Sequence, residues 1–272
     1  MRIGVGRFVR PPNPAMLRVC ACHAFTLIEM LVVLAILVVV MAILLPALSG
    51  ARAAAKSLQC SSNMRTMAVE FGLFASGESV DGQGDSEALG GSRFWINDFQ
   101  DSLYRLDEFW DREEAEVSTI SVDDGQALCP AGARRLTKRR GLPCSRKALE
   151  PIEDVSLAVN MRLYRAVVDF RGKQVLAPAV STHVSARILN HPYVPLVMDV
   201  DGGRAALQGI DPFYIAPPLP ETDDPYSDGR YWLPSARHRG RTIVAFVGGH
   251  VLSSPQPEEE RWDWAYQAEV GR

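Results

Sequence analysis

The first long pattern in the chain is an apolar run. No charged residue occurs from Met30 to Ala51, and Glu29 stands directly before the run. A helix of about 22 residues covers roughly 33 Å, which is enough to cross a bilayer core of about 30 Å. Pro46 near the far end predicts a local kink or loosening. The run therefore predicts a membrane-spanning helix.

Beyond the apolar run the pattern becomes amphipathic while remaining helical. Apolar side chains now recur at i, i+3 and i+4 spacing, at Cys60, Met64, Met67, Phe71 and Phe74. Charged and polar residues occupy the positions between them. We expect one long helix, its first half in the membrane and its second half packed on a soluble domain.

Strand patterns appear in the last part of the chain. The stretches "VSLAVNMRLYRAVV" and "YVPLVMDV" are β-branched and apolar. In "RHRGRTIVAFVGGHVL", alternating apolar residues precede Gly248 and Gly249, and a return strand begins at His250. Gly-Gly between two such runs predicts a hairpin with a type I′ or II′ turn. The fold class is α+β, with the long N-terminal helix packed on a small antiparallel β-sheet.

These patterns divide the chain into segments with different roles. We predict a basic leader peptide at 1–24, the transmembrane half of the helix at 25–48 and its extracytoplasmic amphipathic half at 49–75. An α+β globular domain at 76–255 and a C-terminal tail at 256–272 follow. Within the domain, the basic loop 134–147 is interpreted as a solvated surface, the alternative being a site for anionic polysaccharide or a partner subunit.

Charge orients the predicted anchor. The 272-residue chain has a net charge of −3, but residues 1–24 carry arginines and no acid. A basic segment before an apolar run predicts a cytoplasmic N-terminus and an extracytoplasmic remainder. The overall charge gives no support to nucleic-acid binding.

Cysteine and carboxylate positions suggest little chemistry. Of five cysteines, Cys60, Cys129 and Cys144 fall in the exported part, so at most one pair forms there. Cys129 with Cys144 would close a short basic loop, and Cys60 could equally be a buried thiol. No Cys/His spacing indicates a zinc site.

A calcium site in "DVDGG" has weak support. Asp199 and Asp201 supply too few ligands for an ion that takes about six to eight oxygens, so we predict a plain turn there. No cofactor is predicted, with calcium at this turn as the alternative.

Glu29 is the residue that a plain membrane anchor leaves unexplained, since acids in spanning helices are costly and need a partner. One interpretation of the segment is nonetheless a simple signal anchor, and another is a secretory signal peptide cut near "ARAAA" at 51–55. A third follows from "AFTLIE", residues 24–29, which resembles the cleavage and methylation motif of type IV prepilins and type II secretion pseudopilins.

The resemblance implies specific processing. Prepilin peptidase would cut between Ala24 and Phe25 and N-methylate Phe25, making Glu29 the fifth and Pro46 the twenty-second mature residue, as is typical of that family. The family usually has Gly where this chain has Ala24, which implies slower cleavage. In a filament, the Glu29 carboxylate would lie against the Phe25 ammonium of a neighbouring copy. Met16 is an alternative start that would shorten the leader.

The distal part resembles a prepilin-like family whose C-terminal signature is His, nine residues, then Asp-Gly, commonly followed by His. His238, Gly249 and His250 match this signature, but Gly248 replaces the Asp. Because a carboxylate is lost while the turn survives, we interpret the motif as architectural, with His238 and His250 as a hydrogen-bonding pair on a strand face.

The same family has a Cys-x-x-Asn after the helix and a later Cys-Pro. These appear as Cys60 to Asn63 and as Cys129-Pro130. The resemblance therefore favours Cys60–Cys129 as the disulfide over Cys129–Cys144. Major pseudopilins also have a C-terminal calcium site, which is the second reason to consider Asp199 and Asp201.

The resemblance implies a structural subunit and not an enzyme. Its expected partners are other copies of itself, related pseudopilins, prepilin peptidase and the inner-membrane secretion or pilus assembly platform. We expect a single-pass inner-membrane protein with its C-terminal domain in the periplasm.

Two other functions are weighed against it. A non-polymerising, membrane-tethered binding module is the alternative. An enzyme would show itself by a pocket that gathers His238, Asp199 and Asp201.

Overall fold

The computed structural model describes most of the chain at atomic detail. The described residues are 26–76, 93–96, 99, 118–121, 128–132, 135–138, 149–170, 173–181, 183–219 and 225–267. The predicted cleavage site at Ala24 and Phe25, Cys144 and most of the basic loop 134–147 lie outside them. The chain divides into two compact units, residues 1–48 and 49–272.

One long helix, one short helix and a series of strands form the described fold. The helices are α1 (Leu27–Ser76) and α2 (Gly202–Gln208). The strands are β1 (Arg93–Trp95), β2 (Ser118–Ser121), β3 (Arg135–Lys138), β4 (Leu149–Glu150), β5 (Leu157–Asn160), β6 (Arg165–Phe170), β7 (Lys173–Ser181), β8 (His183–Ser185), β9 (Pro195–Asp199), β10 (Tyr214–Ile215), β11 (Thr242–Phe246) and β12 (Val251–Ser254). The predicted α+β class is confirmed.

Helix α1 runs without interruption through Pro46, and its second half buries the predicted face. Cys60, Met64, Met67 and Phe71 are buried in the core of unit 49–272. The ring of Phe71 meets Phe99 edge to face at 5.1 Å between centroids. The i, i+3, i+4 spacing therefore predicted the packed face of the helix correctly.

The central sheet has five strands in the order β10-β5-β9-β11-β12. Every residue of β9 and of β11 is buried, which is typical of strands covered on both faces. The pairs β5–β9, β9–β11 and β11–β12 are antiparallel, as predicted, whereas β10 pairs with β5 in parallel. The sheet is therefore mixed.

The β11–β12 hairpin forms as predicted, but its turn is of another type. Of the two adjacent glycines, only Gly249 has a positive φ, of 79°. A type I′ or type II′ turn with Gly248 and Gly249 as its two central residues would require a positive φ at Gly248. Gly249 N donates to Phe246 O, and Phe246 N donates to His250 O. The connection is a three-residue loop that ends in a left-handed glycine.

Two other predicted segments differ from expectation. The turn predicted at "DVDGG" opens helix α2, because the Asp201 carboxylate accepts a hydrogen bond from Arg204 N and caps its first turn. In the predicted C-terminal tail, Trp264 is buried, and its ring meets Trp232 edge to face. Residues of that tail thus belong to the domain core.

Candidate functional site

The N-terminus of α1 contains a hydrogen-bonded box. Glu29 Oε2 accepts hydrogen bonds from Thr26 N and from Thr26 Oγ1, both at 2.8 Å, and Glu29 N donates to Thr26 Oγ1 at 3.3 Å. This is the reciprocal capping box of a Thr-x-x-Glu sequence, which satisfies donors that a helix start leaves free. Glu29 therefore has a partner within its own chain.

The following part of α1 presents only apolar surface. Its large side chains are exposed all around the helix from Leu27 to Leu48. By length and composition α1 can cross a membrane. A helix that is apolar on every side requires an apolar environment, either lipid or other helices. The N-terminal unit is thus suited to serve as a membrane anchor.

A second site lies in the other unit, where four chemically active side chains converge. They come from α1, from the segment between β2 and β3, from the end of β9 and from the turn before β11: Cys60, Cys129, Asp199 and His238. One ligand atom from each lies within 4.8 Å of every other. We call these four residues the C2DH cluster.

Short contacts connect the members of the C2DH cluster. His238 Nε2 lies 3.1 Å from Cys129 Sγ and 3.1 Å from Asp199 Oδ2. Cys60 Sγ lies 3.8 Å from Asp199 Oδ1. Ile243 N donates to Asp199 Oδ2 and so holds that side chain, while Cys129 N donates to the buried Ser156 Oγ and so holds the backbone of Cys129. The cluster is therefore held from several directions.

Burial and mutual contact shift the protonation of these groups. Burial raises the pKa of Asp199 to about 6, and the hydrogen bond from His238 opposes this. Burial alone would lower the pKa of His238, but its contacts with Asp199 and Cys129 raise it to about 9. The hydrogen bond from Cys60, with help from His238, lowers the pKa of Cys129, whereas the pKa of Cys60 is raised. Cys129 is the sulfur of the cluster that is favoured as a thiolate.

The geometry does not suit nucleophilic catalysis. In a Cys–His–Asp triad the thiol and the carboxylate contact opposite nitrogens of the imidazole. Here both contact Nε2 of His238. Cys129 and Asp199 are 0% exposed, so no substrate reaches the sulfur. Asp201, expected with these residues in an enzyme, caps α2 instead.

The predicted pair of His238 and His250 is wrong. His238 contacts Asp199 and Cys129, while the ring of His250 stacks on Phe246 with centroids 4.5 Å apart. His238 precedes β11 in a turn, so it does not share a strand face with His250.

The favoured cysteine pair is brought together, but without a covalent bond. Cys60 and Cys129 are both buried free thiols within the C2DH cluster. The disulfide between them stays a prediction. For calcium, the two carboxylates have separate partners, since Asp199 faces His238 and Asp201 caps α2.

Sequence spacing could not reveal the C2DH cluster, because its four members lie far apart along the chain. One indication was present: Cys60, Cys129 and His238 are all residues on which the distal family resemblance rests. The capping box, in contrast, has a local sequence signal, Thr26-x-x-Glu29.

Comparison with known proteins supports the N-terminal interpretation. The model of the prokaryotic N-terminal methylation motif matches residues 20–45. The match includes the predicted cleavage site and Glu29, and it confirms the resemblance to prepilins and pseudopilins. No curated protein and no solved structure matches the chain.

Proposed function

We propose that the protein is a pilin-like structural subunit that prepilin peptidase processes and that assembles into a filament of a type II secretion or type IV pilus-like system. The observation that carries the proposal is the methylation motif at residues 20–45. In this proposal the mature chain starts at Phe25, and the domain from residue 76 lies outside the cytoplasmic membrane. Its partners are its own copies, related pseudopilins and the assembly platform.

The surface of α1 supports assembly. The helix has apolar side chains on every side in residues 27–48, and all are exposed. Such a helix is stable in lipid, and it also packs well against identical helices when these leave the bilayer together. Transfer from membrane to filament core thus keeps the same surface in an apolar environment.

Glu29 supplies the selectivity in this proposal. Cleavage before Phe25 creates an ammonium group, and a carboxylate buried among apolar helices gains from an opposite charge nearby. The capping box uses one oxygen of Glu29, Oε2. Its other oxygen would accept the ammonium of an adjacent copy and so set the register between subunits.

Processing is tested at the mature N-terminus. Mass spectrometry of the protein from its native membrane should find N-methylated Phe25 as the first residue. A first residue near Ala54 would mean removal of a signal peptide, and an intact leader would mean a simple anchor. Either of these results contradicts the proposal.

Assembly is tested with Glu29→Gln. Glutamine can keep the capping box, since Gln is also accepted at that position, but it carries no charge. Cross-linking in native membranes should show ladders of subunits for the wild type and a strong loss of ladders for the variant. Glu70→Gln, an exposed site on the same helix, is the matched control and should keep the ladders. Unchanged ladders in Glu29→Gln would refute the role of the charge.

The capping box favours a second function. Because Thr26 already satisfies Glu29, the acid does not depend on another copy. The protein would then be a membrane-tethered binding module that does not polymerise. Processed protein without cross-linked ladders is the result that would favour this function.

A further inference from the structure

We propose that Cys60, Cys129, Asp199 and His238 bind one Zn²⁺ ion, forming a closed structural metal site. This inference concerns unit 49–272 and is independent of the proposed polymerisation. It rests on the arrangement of the C2DH cluster, on the type of its donor atoms and on its burial.

The spacing of the donor atoms fits tetrahedral coordination. Zinc binds sulfur at about 2.3 Å and nitrogen or oxygen at about 2.0–2.2 Å, so ligand atoms around it are roughly 3.3–3.8 Å apart. Three contacts of the cluster are 3.1, 3.1 and 3.8 Å long, the two to Asp199 on different carboxylate oxygens, and one donor atom from each residue lies within 4.8 Å of every other. A modest adjustment of side chains therefore places an ion between all four.

The donor set selects the metal. Thiolates and imidazole favour zinc over calcium or magnesium, which prefer oxygen ligands. The chain offers two sulfurs, one imidazole nitrogen and one carboxylate, a full set of four ligands. Zinc binding would displace the Nε2 proton of His238 and the remaining thiol protons to solvent, and it would leave a neutral imidazole and two thiolates as ligands. Arg237 Nε donates to Ser235 Oγ at 2.7 Å. The positive charge of Arg237 favours the deprotonated forms of Cys60 and Asp199, which are the forms that bind a metal ion.

One nitrogen with two acceptors is the observation that points most directly to an ion. His238 Nε2 faces both Cys129 Sγ and Asp199 Oδ2 at 3.1 Å. A single N–H bond can point well at only one of them. A cation at the centre would bind all three atoms at once and remove this competition.

Burial indicates a structural site. Cys60, Cys129 and Asp199 are at most 1% exposed, and His238 is 5% exposed. Catalytic zinc keeps a coordination position open to water or substrate, while structural zinc has four protein ligands. The ion would connect the second half of α1 to the end of β9 and to the turn before β11. It would thus hold the helix on the sheet.

The test uses the full-length protein, purified in detergent without chelators and equilibrated with zinc. Elemental analysis should find about one zinc per chain after dialysis, and X-ray absorption at the zinc edge should find two sulfur and two lighter ligands. Cobalt exchanged into the site should show thiolate charge-transfer absorption and tetrahedral d–d bands. These spectra need no variant and do not depend on a function.

Substitutions then assign the ligands. His238→Ala and Asp199→Asn should each lower the zinc that remains after dialysis against a chelator by roughly ten-fold or more. His191→Ala is the matched control, because His191 is half exposed and pairs with Asp263 at the surface. It should retain the zinc content of the wild type.

Three results would overturn the inference. One is metal-free protein whose Cys60 and Cys129 are joined in a disulfide, seen as a tryptic peptide pair that separates on reduction. Another is metal-free protein with free thiols after equilibration with zinc. The third is bound zinc without sulfur ligands, which would be an adventitious ion only.

Discussion

At the scale of single residues, Gly248 and Gly249 show that adjacent glycines serve different purposes. Gly249 has φ of 79° and nothing within 4 Å of the place where a Cβ would lie. Gly248 has no positive φ, but a Cβ there would lie 2.6 Å from Pro192 Cβ and 2.9 Å from Pro192 O. Gly248 is therefore required because a larger residue has no space, and Gly249 because of its backbone conformation.

This difference explains the departure from the family signature. An aspartate at position 248 has no room under Pro192, so the structure accommodates glycine there and no carboxylate. The sequence revealed the hairpin, because Gly-Gly between apolar runs is a local signal. It did not reveal the contact with Pro192, since that residue is distant in the chain and meets the turn only in the folded domain.

We expect Gly248→Ala to destabilise the domain by about 1–3 kcal/mol, because the added methyl group overlaps with the backbone and ring of Pro192. Gly249→Asn is the matched comparison at the same turn. It should cost less, since asparagine adopts positive φ and the site is open. Chemical denaturation of the purified protein, followed by circular dichroism, measures both. Equal losses would contradict the spatial explanation.

At the scale of elements, α2 shows how a capping residue and tertiary packing together overcome the low helix propensity of glycine. Glycine is a poor helix former, which made "DVDGG" look like a turn. The helix forms because Asp201 caps its start and Gly209, with φ of 68°, ends it. Gly202 lies against the chain at 152–155, where a Cβ would be 2.4 Å from Ile152 O. The cap was readable in the sequence, and the packing was not.

The two first glycines of α2 give a sharp test. Gly202→Ala should destabilise the domain by about 1–3 kcal/mol, because carbonyl oxygens of Ile152, Glu153 and Val155 surround the new methyl group. Gly203→Ala meets only Asp201 Oδ1 at 3.3 Å and should be neutral or should stabilise by up to about 1 kcal/mol through helix propensity. Denaturant midpoints of the two variants compare them directly. A larger loss for Gly203→Ala would refute this packing of α2.

At the scale of the whole molecule, the sequence revealed what is periodic or local. It predicted the membrane-spanning run, the buried face of α1, the hairpin and the strands β5, β6, β9, β11 and β12, but not the other strands. It did not predict the C2DH cluster, because convergence of Cys60, Cys129, Asp199 and His238 depends on how the sheet and the helix pack. It also missed the role of Trp264, whose indole N–H donates to Pro257 O within the domain.

The division into two units leads to a prediction about the N-terminal anchor. Every buried residue in the described part of the chain lies at Cys60 or later, so none of residues 26–48 is buried in the core of unit 49–272. Deleting residues 1–48 should therefore leave a folded domain. Its thermal midpoint should stay within about 2–4 °C of that of the full chain in detergent, the shift that ~1 kcal/mol produces at this size.

The same deletion should change where the protein is found. Without the exposed apolar surface of residues 27–48, the chain should move from the membrane fraction to the soluble fraction, because that surface is what requires lipid. Full-length protein from the same cells is the control. A truncated chain that lacks cooperative thermal unfolding, or that stays with the membrane, would show that the first 48 residues contribute to the fold of the domain or that a second surface binds lipid.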